Sequence, residues 1–431
     1  MPRVLVATPE SVGRRLSGPA LRAANIARIL SAEHDVVLAS CAGESVSPID
    51  GRAVAGPDQI HAEYDAAVIQ DGVLRGHQEL RDSSIPIAMD WFDPQLARAL
   101  HQPGAASRRD PNVAVTSHIA AQAARGDLFL CGTESQRSHW LGVLRAHGRI
   151  NQATHNQDPT FRSLITTAPF GVTPVGSNRR TPLRSTFSSI GDHDPILVWV
   201  GALDDWLDPL LVIDALPIVL EENPDTRLIF LAGPHPNTGI DKMGIRGRAI
   251  ERARNLRLFG RHVFFVNQWI DYDERLRWIA DATIGVTADR ADLIGELSTH
   301  PQVLDHLSVG LPSVGTIDGT FGTELVSSGA AVTTERNHLE FGTAIASLIN
   351  DDLRLGEMSR AARTMAAARS WEDMLHSLTD WMRDPQPAAD RRNSARFDPG
   401  RQIVDGLRRI EDGPGRRLRR GLSAARRRPD K

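Results

Sequence analysis

Short apolar runs separated by longer amphipathic stretches fill most of the chain, and the pattern begins twice. Residues 3–32 (RVLVATPESVGRRLSGPALRAANIARILSA) give an apolar run, a glycine-containing loop and apolar positions at helical spacing, and residues 196–222 (ILVWVGALDDWLDPLLVIDALPIVLEE) repeat the succession. In the first half, 3–9, 35–40, 66–70, 86–90 and 127–132 read as buried parallel strands, with helical patterns over 19–32, 108–125 and 134–148. After the second start, strands are predicted near 196–200, 227–232, 262–266, 282–287, 312–316 and 330–333. Helices are predicted near 209–222, 242–257, 272–280, 300–309, 322–328, 337–350 and 353–369. Strict alternation predicts the α/β class with parallel sheets.

The doubled opening predicts two Rossmann-like domains facing a cleft, at 1–172 and 195–370. The polar stretch 173–194, rich in Gly, Pro, Ser and Asn, reads as their linker. A terminal helix at 371–383 and a basic, flexible tail at 384–431 complete the expectation. In open α/β sheets ligands collect at the carboxyl ends of the strands, so the cleft is where function is sought.

Composition narrows the chemistry. Two cysteines, Cys41 and Cys131, exclude a disulfide framework and a thiolate metal cluster and suit a reducing cytoplasm. No apolar run approaches the ~20 residues of a membrane helix, and a strand directly after Met1 argues against a signal peptide. Lysine occurs only at 242 and 431, leaving Lys242 as the one candidate for a phosphate-gripping lysine. Residues 384–431 carry 14 basic and 7 acidic residues, net +7, so with a whole-chain charge of −3 residues 1–383 carry −10. Seven arginines between Arg416 and Arg428 suit an anionic membrane surface as a peripheral partner. A solvated terminus is the plainer reading, and no nucleic acid is expected as a partner. The histidines show no metal-binding spacing, so neither metal nor cofactor is expected.

Four loops carry candidate chemistry. Gly13 and Gly18, with Pro19 at a helix start, make an anion or sugar cradle or a plain turn. Gly201 and Ala202 end a strand before Asp204, Asp205 and Trp206; Asp208 and Pro209 have the form of a helix cap, whereas Trp206 is placed to stack on a sugar or base. Residues 287–316 hold Glu296, a Ser298-Thr299 cap, and a helix with His300, Gln302, Val303 and Asp305 at an anion-binding end. Asp90 and Asp93 leave a strand as candidates to act as a base or orient a hydroxyl, with Asp93 equally able to cap a helix before Pro94.

In four stretches the chain resembles GT-B glycosyltransferases of family 4. They are 9–30 (PESVGRRLSGPALRAANIARIL), 127–151 with APFGV at 168–172, 196–216, and QVLDHLSVGLPSVGT at 302–316. The resemblance implies retaining transfer of a sugar from a nucleotide diphosphate-sugar donor on the second domain to a glycan, lipid-linked or small-molecule acceptor on the first. It implies that Gly13 faces the diphosphate or the acceptor, with Gly18 on the acceptor side, and that Gly201 and Ala202 lie under the phosphates. It further implies that the segment 265–272, with Trp269 and Ile270, edges the base, that the helix after Ser298 receives phosphate, and that Asp305 binds ribose. The family's paired acids, E-x7-E, would fall at 297 and 305, where this chain has Leu297 and Asp305, with Glu296 alongside. Its basic residues after the first strand of the second domain are replaced by Leu203 to Trp206, and a histidine of its first domain by the Asp90 to Asp93 segment. A non-catalytic paralogue and a nucleotide-sugar epimerase are the rival readings. A cation for the leaving diphosphate would come from His300 or Arg290.

Overall fold

The computed structural model describes residues 1–101, 111–173, 175, 182–233 and 244–392. Its first sheet contains β1 (Arg3–Thr8), β2 (Asp35–Ser40), β3 (Ser45–Val46), β4 (Ala53–Ala55), β5 (Ala66–Gln70), β6 (Ile87–Asp90), β7 (Leu128–Cys131) and β8 (Ile165–Thr167). Its second contains β9 (Ile196–Val200), β10 (Arg227–Leu231), β11 (Val263–Phe265), β12 (Ile284–Ala288), β13 (Ser313–Thr316) and β14 (Ala331–Thr333). The strand orders are β3-β4-β2-β1-β5-β6-β7-β8 and β11-β10-β9-β12-β13-β14. Every pairing is parallel except β3 with β4. The predicted class, α/β with two parallel-sheet domains, is what the chain forms.

The central strands are continuous apolar runs because helices cover both faces of each sheet: all five residues of β5, β9 and β12 are buried. In each sheet the winding direction reverses beside its first strand, at β1/β5 and at β9/β12. Local signals set the helix starts. Ser17 caps Gly18–Leu30, Thr133 caps Glu134–Ala146, and Asp208 accepts from the Leu211 amide with Pro209 in the first turn of Pro209–Glu222.

The stretch 168–172 follows β8, and Gly171 lies where a Cβ would stand 2.4 Å from the Trp371 backbone and 2.5 Å from its ring. Two differences from the sequence reading have physical causes. The presumed linker contains a docked helix, Pro182–Thr186, anchored by buried Leu183 and by Arg184 on Asp281 at 3.3 Å. The tail begins later than its charge suggests. Residues 384–392 return to the first domain, where Arg149 pairs with buried Asp390 at 2.7 Å and Arg391 with Asp127 at 2.7 Å. The arginines of 416–428 lie outside the described residues. Among the described residues no helix is long and apolar enough to cross a membrane.

Candidate active site

The carboxyl ends of the two sheets face each other across a cavity of about 540 Å³. It lies at both switch points: the loops after β1 and β5 line one side, and the loop after β9 and the segment 298–308 line the other. This is where open α/β sheets leave a crevice between oppositely running connections. Two seams hold the halves together. On one, Trp269 Nε1 donates to the Leu16 carbonyl at 3.2 Å, the Tyr272 amide donates to the Arg14 carbonyl at 3.0 Å, and Arg14 pairs with Asp271 at 2.8 Å. On the other, the Gln136 amide donates to the Phe92 and Leu297 carbonyls at 2.8 and 2.7 Å, and Gly132 lies where a Cβ would meet Thr299 Cγ2 at 2.4 Å.

On the second-domain wall the strand end at Gly201 turns with φ +92°, a conformation that suits glycine, and brings Gly201, Ala202, Asp204 and Trp206 to the cavity. Opposite them the helix Pro301–Val309 starts at the cavity, with Ser298, Thr299, Pro301 and Gln302 on its wall. Amide N–H groups and the helix dipole make such an end favourable for an anion. What holds that start in place is His300. Directly before Pro301 it adopts the left-handed conformation φ 43°, ψ 62°, which is uncommon for a residue with a Cβ. Its ring is buried under the cavity, 3.0 Å from Asp289 Oδ2 and 3.3 Å from the Asp318 carbonyl. Burial alone would lower its pKa, but the Asp289 carboxylate and the Asp318 contacts outweigh that and raise it. His300 therefore supports the site from beneath and does not line it.

Asp305 does reach the cavity, and it brings a partner that sequence reading missed. Arg275, from the helix Tyr272–Ile279, places its guanidinium 3.0 Å from Asp305 and 5.1 Å from the centre of the Tyr272 ring. Burial raises the Asp305 pKa, and the Arg275 charge and hydrogen bond act against it. Arg275 is the one basic side chain among the described residues that line the cavity; His300 and Arg290, the expected cations, stand outside it. The sequence signal was weak, because Arg275 lies among the charges of YDERLR, with no period to mark it.

The first-domain wall corrects one expected role. Asp90 is fully buried and off the cavity, with both carboxylate oxygens 2.9 Å from Arg22 Nε and one also accepting from Gln70 Nε2 at 3.2 Å. Arg22 in turn donates to the Ala168 and Pro169 carbonyls. This arrangement fastens helix Gly18–Leu30 to β6 and to the 168–172 segment and leaves Asp90 no geometry for acid-base work. Asp93 does line the cavity, with Glu10, Gln70, Asp71 and Gln95, which sequence reading did not single out.

Of the other expected residues, Gly18, Gly201, Ala202, Trp206, Trp269, Ser298 and Thr299 line the cavity. Gly13, Ile270, Glu296 and Val303 do not; Ile270 and Val303 belong to the hydrophobic core, and Glu296 is exposed on the short helix Leu293–Leu297, inside what sequence reading took for a loop. Among the described residues no group of three or more His, Cys, Asp or Glu is placed to hold a metal ion.

Solved structures share this architecture over nearly the whole chain. Sucrose-phosphate synthase from Thermosynechococcus elongatus matches with a TM-score of 0.62 at 13% identity, covering 89% of this chain and 98% of that one. Anabaena HepE in complex with UDP and glucose matches with a TM-score of 0.62 at 13% identity, covering 89% and 100%. The fold is GT-B. A UDP-forming trehalose-phosphate synthase from Burkholderia xenovorans also matches, with a TM-score of 0.58 at 13% identity over 89% and 99%. No family model matches the chain. No curated protein matches it either.

Proposed function

We propose that this chain transfers a sugar from a nucleotide diphosphate-sugar to a hydroxyl of a glycan, lipid-linked or small-molecule acceptor, retaining the anomeric configuration, in glycan or glycoconjugate biosynthesis. The observation that carries the reading is the cavity of about 540 Å³ at both switch points, into which the helix Pro301–Val309 starts. A cavity of that size is in the range that encloses a small organic ligand. The structural neighbours add support, since HepE was solved in complex with UDP and glucose and the Burkholderia synthase is UDP-forming.

In this reading the donor lies on the second domain. The base rests near Trp269, the phosphates meet the Gly201 loop and the amide end at Ser298 to Gln302, and Asp305 with Arg275 faces the ribose and diphosphate. Departure of the nucleotide concentrates negative charge on the leaving phosphate. Helix amides and the Arg275 guanidinium stabilise that charge while the apposed domains exclude water. Asp93, on the opposite wall, orients the acceptor hydroxyl.

The test is a panel of uridine, guanosine, adenosine and thymidine diphosphates and their sugars, read by thermal shift and by nucleotide release, with the product anomer assigned by proton NMR. Stabilisation by one nucleotide series with turnover of its sugar supports the reading; absence of any shift across the panel overturns it. A second reading, nucleotide binding without transfer, is favoured by Leu297 at the place of a family acid and by the engagement of Asp305 with Arg275. Binding without turnover would select it.

A further inference from the structure

Both nitrogens of the His300 ring face oxygen acceptors. Asp289 Oδ2 stands 3.0 Å from Nδ1 and the Asp318 carbonyl oxygen 3.3 Å from Nε2, with the ring fully buried. A neutral imidazole carries one N–H and would set a lone pair against one of these oxygens, whereas the imidazolium has a proton for each. The charge is needed from the other side as well. Asp289 is 3% exposed, and among the described residues its one ion pair is with His300. Removing that cation would strand a buried carboxylate. Burial lowers the His300 pKa, but the Asp289 and Asp318 contacts outweigh it and hold the ring above its ordinary 6.5.

Around this pair, Arg336 engages the Asp318 carboxylate and donates to the Asp289 carbonyl at 3.0 Å, and Arg290 points its Nε at the Leu207 carbonyl at 3.5 Å. The Phe321 ring stacks beside the imidazole with centres 6.3 Å apart. Above the pair is the anion end of the cavity. Thr299 and Pro301, on either side of His300, both line the cavity, and the His300 amide donates to Ser298 Oγ at 3.0 Å. The backbone there has φ 43°, a conformation that suits glycine better than any residue with a Cβ. The ring, not the backbone, is the reason for a histidine.

We propose that His300 is a positioning residue for the donor's diphosphate, that it acts as the imidazolium, and that nucleotide binding and protonation of His300 reinforce each other. The inference rests on the nucleotide-sugar reading and deepens it. Loss of the proton would leave the Asp289 carboxylate uncompensated behind the surface that the phosphates meet, and a like charge there repels them. Linkage then requires the bound diphosphate to raise the proton affinity of His300 by the same factor as the proton raises the affinity for diphosphate.

The test is isothermal titration calorimetry of the full-length protein with the nucleotide diphosphate-sugar that stabilises it most, from about pH 6 to about pH 8.5, where a histidine changes charge. Both phosphates of that probe are esterified and keep a constant charge over the range. Affinity is expected to fall about tenfold as pH rises, the scale of a moderate coupling between two sites. At the midpoint of the fall, titrations in buffers of different ionisation enthalpy should show proton uptake on binding. Affinity that is flat or rises with pH overturns the proposal, as does binding without proton uptake. Binding of no nucleotide sugar at any pH defeats the nucleotide-sugar reading and this inference with it, whereas binding with a flat profile defeats this inference alone.

His300→Asn, neutral and tolerant of left-handed backbone, is expected to bind weakly and with a flat profile. A merely structural role would lower affinity equally at every pH and keep the parent's slope, which removes His300 from the coupling. If that variant does not fold, Asp289→Asn serves: it takes away the charge that keeps the ring protonated, and a retained slope counts against the proposal equally. In the unmodified protein labelled with nitrogen-15 at histidine, the ring that titrates on the pH profile should do so about one unit higher with nucleotide sugar bound, the shift that a tenfold coupling implies. No histidine shifting in that way overturns the proposal without recourse to a variant.

Discussion

Asp90→Leu separates a structural carboxylate from a catalytic one. Asp90 and Arg22 are both fully buried in their side chains, 2.8 Å apart, and the substitution leaves a buried guanidinium with only the Ala168 and Pro169 carbonyls as partners. Removing one member of a buried pair costs about 3–5 kcal/mol. At roughly 2–4 °C per kcal/mol for a domain of this size, the unfolding midpoint should fall by about 6–20 °C. The double variant Arg22→Met, Asp90→Leu should recover most of that, since an apolar pair of similar volume often replaces a buried ion pair at little cost. A remainder of about 1–3 kcal/mol is expected because two buried carbonyls lose their donor. Differential scanning calorimetry measures the midpoints, and nucleotide release well below the variants' melting range measures turnover. A single variant that melts with the parent but has lost turnover would refute the reasoning and return Asp90 to the chemistry.

Further predictions concern the cavity and the helix behind it. Arg275→Gln removes the one described cation of the cavity and should weaken nucleotide diphosphate binding about 10- to 100-fold, the scale of a charged hydrogen bond, by isothermal titration calorimetry. Gly132→Ala places a methyl 2.4 Å from Thr299 Cγ2 and should wedge the domain seam, raising the dissociation constant of the nucleotide; adding Thr299→Ser should restore part of it. Burial holds His306 down to about 3 from its ordinary 6.5, so between those values the unfolded chain binds a proton that the folded chain refuses. Stability should therefore fall as pH drops from 6.5 towards 3, by up to about 1.4 kcal/mol per unit, and His306→Gln should flatten the melting profile across that window. His300, raised by Asp289, works with the opposite sign: its contribution is present below 6.5 and fades as pH rises through its raised value.

Much of the architecture was legible in local pattern. Apolar runs flanked by helical periods located the central strands to within two residues, because a strand buried on both faces has to be apolar throughout. The edge strands β3 and β8, and β4 next to β3, two or three residues long, carried no comparable run. Helix caps such as Ser17, Thr133 and Asp208 were also legible, since capping acts within a few residues, but the Ser298-Thr299 cap expected for the cavity helix is not one: Pro301–Val309 starts after His300 with no side-chain cap, and Ser298 instead closes the helix before it.

The sequence by itself determined the alternation of elements, the doubled opening and the helix starts, all of which rest on interactions between residues close in the chain. Tertiary structure alone decided which charges are available for chemistry. Asp90 and Asp93 look alike in MDWFDP, yet only one meets Arg22, 68 residues away; Asp305 meets Arg275, 30 residues away; and Gln136 reaches the Leu297 carbonyl across 161 residues. A carboxylate's role depends on the dielectric and the partner that folding brings to it, and neither quantity is present in the residues beside it.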